Sequence, residues 1–166
     1  MSSDTSQAAF RDLIAEVTRH IAGRPLDTDL QSDLNHWAAA DSPLYAKLFD
    51  ACRQGVAEGW MCSREAGGIR YGRVIKPDPA IDGFSVDVVE MDRIKGPHHV
   101  HPEGEIDLVM PLEGEARFNG SPAGWKVYEP GSAHYPTVSD GRALVLYLLP
   151  KGAIQFTPGP DDAKTD

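Results

Sequence analysis

Cysteine is scarce: Cys52 and Cys62 are the only two in 166 residues. Neither lies in a Cys-x-x-Cys pair or beside a histidine, so free thiols are expected rather than a disulfide or a nucleophile. Positive charge is also short, with 16 Lys and Arg against 25 Asp and Glu and a net charge of -9. Nucleic acid and anionic membrane surfaces call for clustered Lys and Arg, so neither is an expected partner. A small anionic substrate stays open, because one or two local cations dominate a pocket. No apolar run approaches the ~20 residues of a membrane-spanning helix. Met1-Ser2-Ser3-Asp4 lacks the basic and apolar regions of a signal peptide, and the expected location is cytoplasmic. Internal repeats and low-complexity tracts are absent. With 41% hydrophobic and 25% charged residues, the chain reads as one globular domain able to bury a core.

The first 59 residues carry helical grammar. Phe10, Leu13, Ile14, Val17 and Ile21 form an apolar stripe of period 3.6, ended by Gly23 and Pro25. A second helix is expected over Thr28–Ala39, with Leu30, Leu34 and Trp37 on one side. Ser42-Pro43 supplies an N-cap and a proline at the first helical position for a third, stopping near Glu58-Gly59. From Trp60 the pattern changes, with glycine and proline punctuating short segments every eight to twelve residues. Strands are expected at Trp60–Arg64, Ile69–Ile75, Phe84–Met91, His98–His101, Ile106–Leu112, Glu115–Phe118, Trp125–Tyr128 and Ala143–Leu149. Eight such strands predict a mainly β jelly-roll barrel or double sheet over 60–158, helices 1–59 packed outside it, and a flexible tail at 159–166. Ile106, Leu108 and Met110 share one strand face and need a cover, from the helices or from a second subunit; the latter gives an expected homodimer.

The chemistry concentrates in Gly96-Pro97-His98-His99-Val100-His101-Pro102-Glu103-Gly104-Glu105. On an extended strand His99 and His101 project from one face with Cα atoms ~6.5 Å apart, while His98 points away. His134, framed by Pro130-Gly131, follows about thirty residues later. Imidazole and carboxylate together are the usual ligands of a catalytic divalent metal. The same groups without metal serve as acids and bases near neutral pH. His20 and His36 fall in the helical region and read as surface or packing residues. Tyr135, beside His134, is a candidate for lining an aromatic pocket, whereas Trp125 reads as core. Arg70, Arg73, Arg93 and Arg117 lie in or beside strands and are candidates for clamping a carboxylate.

These motifs resemble those of the cupin superfamily, whose small barrels commonly hold a metal on three His and one Glu. His99-x-His101-x3-Glu105 matches the front of the first cupin motif, but counting back six residues from Gly114 reaches Asp107. The carboxylate ligand is therefore Glu105, Asp107 or neither, with Glu105 favoured by type and distance. The motif's upstream glycine is replaced by Arg93. Gly124-x5-Pro130-Gly131-x2-His134 resembles the second motif with one residue deleted, and its trailing asparagine is absent.

A closer resemblance is to the 4-hydroxylaminobenzoate lyase family, carried by Gly67–Val74, Gly96–Asp107, Pro130–Val138 and Leu146–Gly152. It implies a helical N-terminal portion, a cupin-like barrel, and conversion of 4-hydroxylaminobenzoate to 3,4-dihydroxybenzoate and ammonia in nitroaromatic degradation. It further implies a small aromatic acid as substrate and no organic cofactor. Under it, His99, His101, Glu105 and His134 hold a divalent metal (Zn, Fe, Mn or Ni), although such a lyase does not strictly require one. Glu105, the three histidines and Tyr135 are then the catalytic candidates, with Glu105 the proton donor to the N–OH and an arginine on the carboxylate. A metal-dependent cupin oxygenase or isomerase acting on a small organic acid shares this ligand set. A non-enzymatic small-molecule sensor is the third reading.

Overall fold

The computed structural model describes residues 3–162. Three helices come first: α1 (Ser3–Ile21), α2 (Thr28–Trp37) and α3 (Pro43–Glu58). Their ends follow the expected capping chemistry. Asp27 accepts from Leu30 N–H to open α2, and Ser42 accepts from Tyr45 N–H to open α3. Gly59, left-handed at φ 88°, closes α3.

Nine strands follow: β1 (Arg64–Ala66), β2 (Ile69–Ile75), β3 (Phe84–Lys95), β4 (His99–His101), β5 (Glu105–Phe118), β6 (Gly124–Tyr128), β7 (Ser132–His134), β8 (Thr137–Pro150) and β9 (Gln155–Phe156). They form a six-stranded antiparallel sheet, β1-β2-β3-β8-β5-β6, and a three-stranded one, β7-β4-β9. The fold is mainly β, a cupin-like double sheet with three helices outside it.

The strand expectations needed three corrections. The strand expected at Trp60–Arg64 begins only at Arg64, as β1, because Trp60 and Met61 N–H groups both fold back onto the Gly55 carbonyl at the end of α3. The segments at 106–112 and 115–118 are one strand, whose register shifts at Pro111/Glu113 and Gly114/Arg117. β7 and β9, three and two residues long, were not anticipated.

Period-2 alternation divides the large sheet between two cores. Ile106, Leu108, Met110, Leu144, Leu146 and Leu148 face the helices and pack with Phe10, Ile14, Leu30, Leu34 and Leu48. Val109, Val145, Tyr147 and Leu149 face the other way, into the space covered by the small sheet. The helices thus supply the cover that the Ile106/Leu108/Met110 face required, and that face gives no reason for a dimer. No helix among the described residues is long and apolar enough to cross a membrane.

β6 is the last strand of the large sheet, so its outer backbone groups need partners. One face of α2 provides them. Asn35 accepts from Trp125 N–H and donates to the Trp125 carbonyl, both at 2.8 Å, and Gln31 accepts from Val127 N–H at 2.9 Å. The Trp125 indole donates to the Ala38 carbonyl. These bonds fix β6 with Trp125 and Val127 toward the helices, and hence with Lys126 and Tyr128 toward the space between the sheets.

Of the expected tail, residues 159–162 are tied down: Asp161 N–H donates to the Tyr135 hydroxyl and Lys95 pairs with the Asp161 carboxylate. Residues 163–166 lie outside the described residues.

Candidate metal centre

β4 presents His99 and His101 on one face, both fully buried, with Val100 between them. β7 runs antiparallel to β4, so His134 lies opposite His99 and Ser132 opposite His101. The turn after His101 brings β5 back beneath the pair. Gly104 makes that turn possible: its φ is 89°, and a side chain there would meet the Tyr128 carbonyl at 2.8 Å. Glu105 follows immediately, fully buried.

Four side chains converge. Nε2 of His99 and of His101 each lie 3.3 Å from Glu105 Oε1, and His134 Nε2 lies 3.7 Å from Oε2. His134 Nε2 and His99 Nε2 face each other at 3.2 Å. All four ligand atoms fall within 4.8 Å of one another. Bonds of ~2.1 Å to a common ion put neighbouring ligands roughly 3–3.5 Å apart, close to most of these separations.

The donor set fits a metal on a second ground. Both Glu105 oxygens and His101 Nε2 are buried without a hydrogen bond. Buried polar groups in folded proteins are rarely left so, and an unpaired buried charge costs several kcal/mol. A cation among these atoms satisfies all of them at once.

The proton positions follow from Ser132. Its hydroxyl donates to the Glu129 carbonyl at 2.6 Å, so toward His101 Nδ1, 3.0 Å away, it accepts. His101 therefore carries its proton on Nδ1 and turns a bare Nε2 toward Glu105, the tautomer a ligand needs. Ser132→Ala should weaken metal affinity about 10- to 100-fold, the usual cost of losing such a supporting bond. Competition with a fluorescent chelator measures it, and unchanged affinity would remove this role.

Burial lowers the His134 pKa to about 3, against an opposing pull from Glu105, which keeps the ring neutral and available as a ligand. For Glu105, burial pushes upward, but the neighbouring His101, His99 and Asp107 side chains outweigh it and hold the carboxyl below its usual range. Asp107, also fully buried and without a hydrogen bond, is raised well above the ordinary value by burial and by the charge of Glu105. Within the pair the negative charge is favoured on Glu105, and Asp107 is the harder of the two to ionise.

This has a consequence for the metal-free protein. A raised folded-state pKa gives stability that is complete below the unfolded value near 3.8 and is lost as pH rises through the folded one. Asp107→Asn cannot ionise, so it should gain on the wild type as pH climbs, by up to about 1.4 kcal/mol per unit within that window. Urea unfolding in EDTA at pH 5 and pH 8 tests this; a constant gap would contradict it.

Other candidates lie elsewhere. His98 points away, with Nδ1 against the carbonyl and hydroxyl of Thr157 at 3.1 and 3.2 Å. Tyr135 packs edge-on to His98, under the Lys95 ammonium, and is not among the four converging side chains. Arg70 pairs with Glu90, Arg73 with Asp87 and Arg93 with Asp92, while Arg117 donates to the Gly120 carbonyl. Sequence reasoning passed over Ser132, Tyr128 and Tyr147. The Tyr128 ring lies 4.5 Å from that of His134 and 5.2 Å from that of His101, and the Tyr147 ring 6.3 Å from that of His99. Period 2 was the available signal, since Tyr128 alternates with the core residue Val127.

His99, His101, Glu105 and His134 thus make a buried three-His, one-Glu cluster able to hold a metal ion. The sequence pattern of the 4-hydroxylaminobenzoate lyase family (PnbB) matches residues 12–156. The chain belongs to that family. It is 32% identical over 149 residues to the 4-hydroxylaminobenzoate lyase of Nocardioides sp. (strain LMS-CY), covering 84% of this chain and 88% of that one. It is also 32% identical over 162 residues to the enzyme of the same name from Pseudomonas putida, covering 87% and 90%. Among solved structures, an RmlC-like cupin protein from Ralstonia eutropha superposes with a TM-score of 0.43 at 15% identity, over 62% of this chain and 68% of that one. A cupin-like protein from Thermotoga maritima gives 0.35 at 16%, over 57% and 79%.

Proposed function

We propose that this chain converts 4-hydroxylaminobenzoate and water to 3,4-dihydroxybenzoate and ammonia. The observation that carries the reading is the convergence of His99, His101, Glu105 and His134 on one buried point, in a chain of this family. The reaction is redox-neutral: the N–O bond breaks and its oxygen leaves as water, and one water adds to the ring beside the nitrogen-bearing carbon. A second water hydrolyses the resulting imine so that nitrogen leaves as ammonia, a net consumption of one water. It needs a proton for the departing N–OH oxygen and a group that takes a proton from the incoming water.

A divalent ion on the four ligands would supply Lewis acidity toward an oxygen atom. Zn, Fe, Mn and Ni all suit this donor set. Glu105, held ionised between imidazoles, suits a ligand rather than a proton donor. Asp107 supports the donor role, because it presents two buried, unpartnered oxygens one strand step further along the same face of β5. The Tyr128 and Tyr147 rings stand beside His101 and His99 and give this region an aromatic wall.

The test is anaerobic incubation of the purified protein with 4-hydroxylaminobenzoate in ¹⁸O-water. Equimolar ammonia and 3,4-dihydroxybenzoate labelled in both ring hydroxyls are expected. Absence of ammonia, or a strict need for O₂ with its oxygen in the product, would replace this reading with the oxygenase one.

A further inference from the structure

The substrate of the proposed reaction carries a carboxylate para to its reacting nitrogen, and none of the four candidate arginines meets the metal centre. Each is engaged by an acid or a carbonyl, as described above. Lys95 and Lys151 are likewise paired, with Asp161 and Glu103. Lys126 differs. It is half-buried, has no ion pair among the described residues, and lies in the middle of β6 between Trp125 and Val127.

Those two neighbours face the helices, so Lys126 shares the inner face with Tyr128. Across the ladder Tyr128 pairs with Glu105, and Lys126 pairs with Asp107. The lysine therefore stands two residues, ~6.6 Å of strand, from the row that supplies the metal ligand. A para-substituted benzoate spans a similar length between its carboxylate and its nitrogen. The ammonium lies 5.5 Å from the Tyr128 ring centroid, on the ring that also neighbours His134 and His101. It does not approach Asp107 closely enough to pair, and Asp107 keeps both oxygens without partners. Lys126 is only half-buried on this last strand of the large sheet, so its side chain is not sealed from solvent.

We propose that Lys126 binds the carboxylate of the aromatic substrate and sets the orientation of its ring, the hydroxylamino end directed at the His/Glu centre. This rests on the lyase reading for the substrate, but not on turnover. A lysine is a point charge rather than a fork, so it tolerates a carboxylate whose plane rotates as the ring rehybridises.

Binding of 3,4-dihydroxybenzoate and of catechol, which lacks the carboxylate, is measured by calorimetry on the full-length wild type, Lys126→Met, Lys126→Arg and the control Lys47→Met on α3. The wild type and Lys47→Met should prefer the benzoate roughly 10- to 100-fold, the size of a charge-assisted hydrogen bond. Lys126→Met should lose that preference while its catechol affinity stays within about twofold, and Lys126→Arg should restore most of it. The proposal is overturned if Lys126→Met keeps the wild-type ratio, or if the wild type shows no preference. Ammonia release by the wild type is read in parallel. Its failure removes the lyase reaction, whereas the binding ratios still decide the role of Lys126.

Discussion

His101→Ala and His134→Ala should each abolish turnover of 4-hydroxylaminobenzoate, with losses on the order of 10²–10⁴-fold, while the protein stays folded. The loss is large because each ring is one of only three imidazoles gathered around Glu105 among the described residues. The fold survives because neither ring belongs to either hydrophobic core, one packing the helices on the large sheet and the other lining the opposite face of that sheet. His98→Ala should be mild by comparison. It removes the contact with Thr157 and the edge-on packing against Tyr135, loosening the C-terminal segment and leaving the centre intact. Elemental analysis beside the ammonia assay separates the causes: bound metal should fall toward zero per chain in the first two variants and stay at the wild-type level in the third. Full activity in both His101→Ala and His134→Ala would remove the basis of the mechanism. A metal-free wild type that is fully active would assign the same rings acid–base roles instead.

Much of this centre was legible because strand geometry is so regular. His-x-His needs only period 2 to put both rings on one face, and β4 does so. The missing residue in the Gly124–His134 stretch proved harmless, because His134 is positioned by its antiparallel pairing with His99 and not by loop length. The choice between Glu105 and Asp107 could not be settled by spacing, since two residues apart on β5 they share a face; only the distances to the histidines separate them. Ser132 was out of reach because its value comes from lying across the ladder from His101. Lys126 was readable in principle from its alternation with Trp125 and Val127, but a carboxylate clamp was sought among the arginines. The three helices declared themselves through Asp27, Ser42-Pro43 and Gly59, whose capping roles are local. The three-residue β7 and two-residue β9 carry too few residues for any periodicity, and exist because β4 offers them two open edges.

Metal removal should lower the melting temperature measurably. In the ion-free protein the Glu105 oxygens and His101 Nε2 remain buried without hydrogen bonds, and His134 Nε2 faces His99 Nε2 at 3.2 Å. One of those two nitrogens donates to the other when they carry opposite tautomers, so the penalty of the ion-free native state rests on the unpartnered Glu105 oxygens and His101 Nε2, which the unfolded chain exposes to water. An ion binding only the folded state adds about 2.7 kcal/mol at a free concentration one hundred times its Kd. At roughly 2–4 °C per kcal/mol for a chain of this size, that is a rise of about 5–11 °C. Scanning calorimetry on EDTA-treated protein, repeated after adding back Zn, Fe, Mn or Ni singly, measures the rise and ranks the ions. Glu105→Gln should show a smaller rise with the same ion, because the carboxamide is a weaker ligand and leaves the ion's charge less compensated. An EDTA-treated wild type that melts at the same temperature before and after each of the four additions would mean that the His/Glu cluster holds none of them, and the three imidazoles would then have to act as acids and bases in their own right.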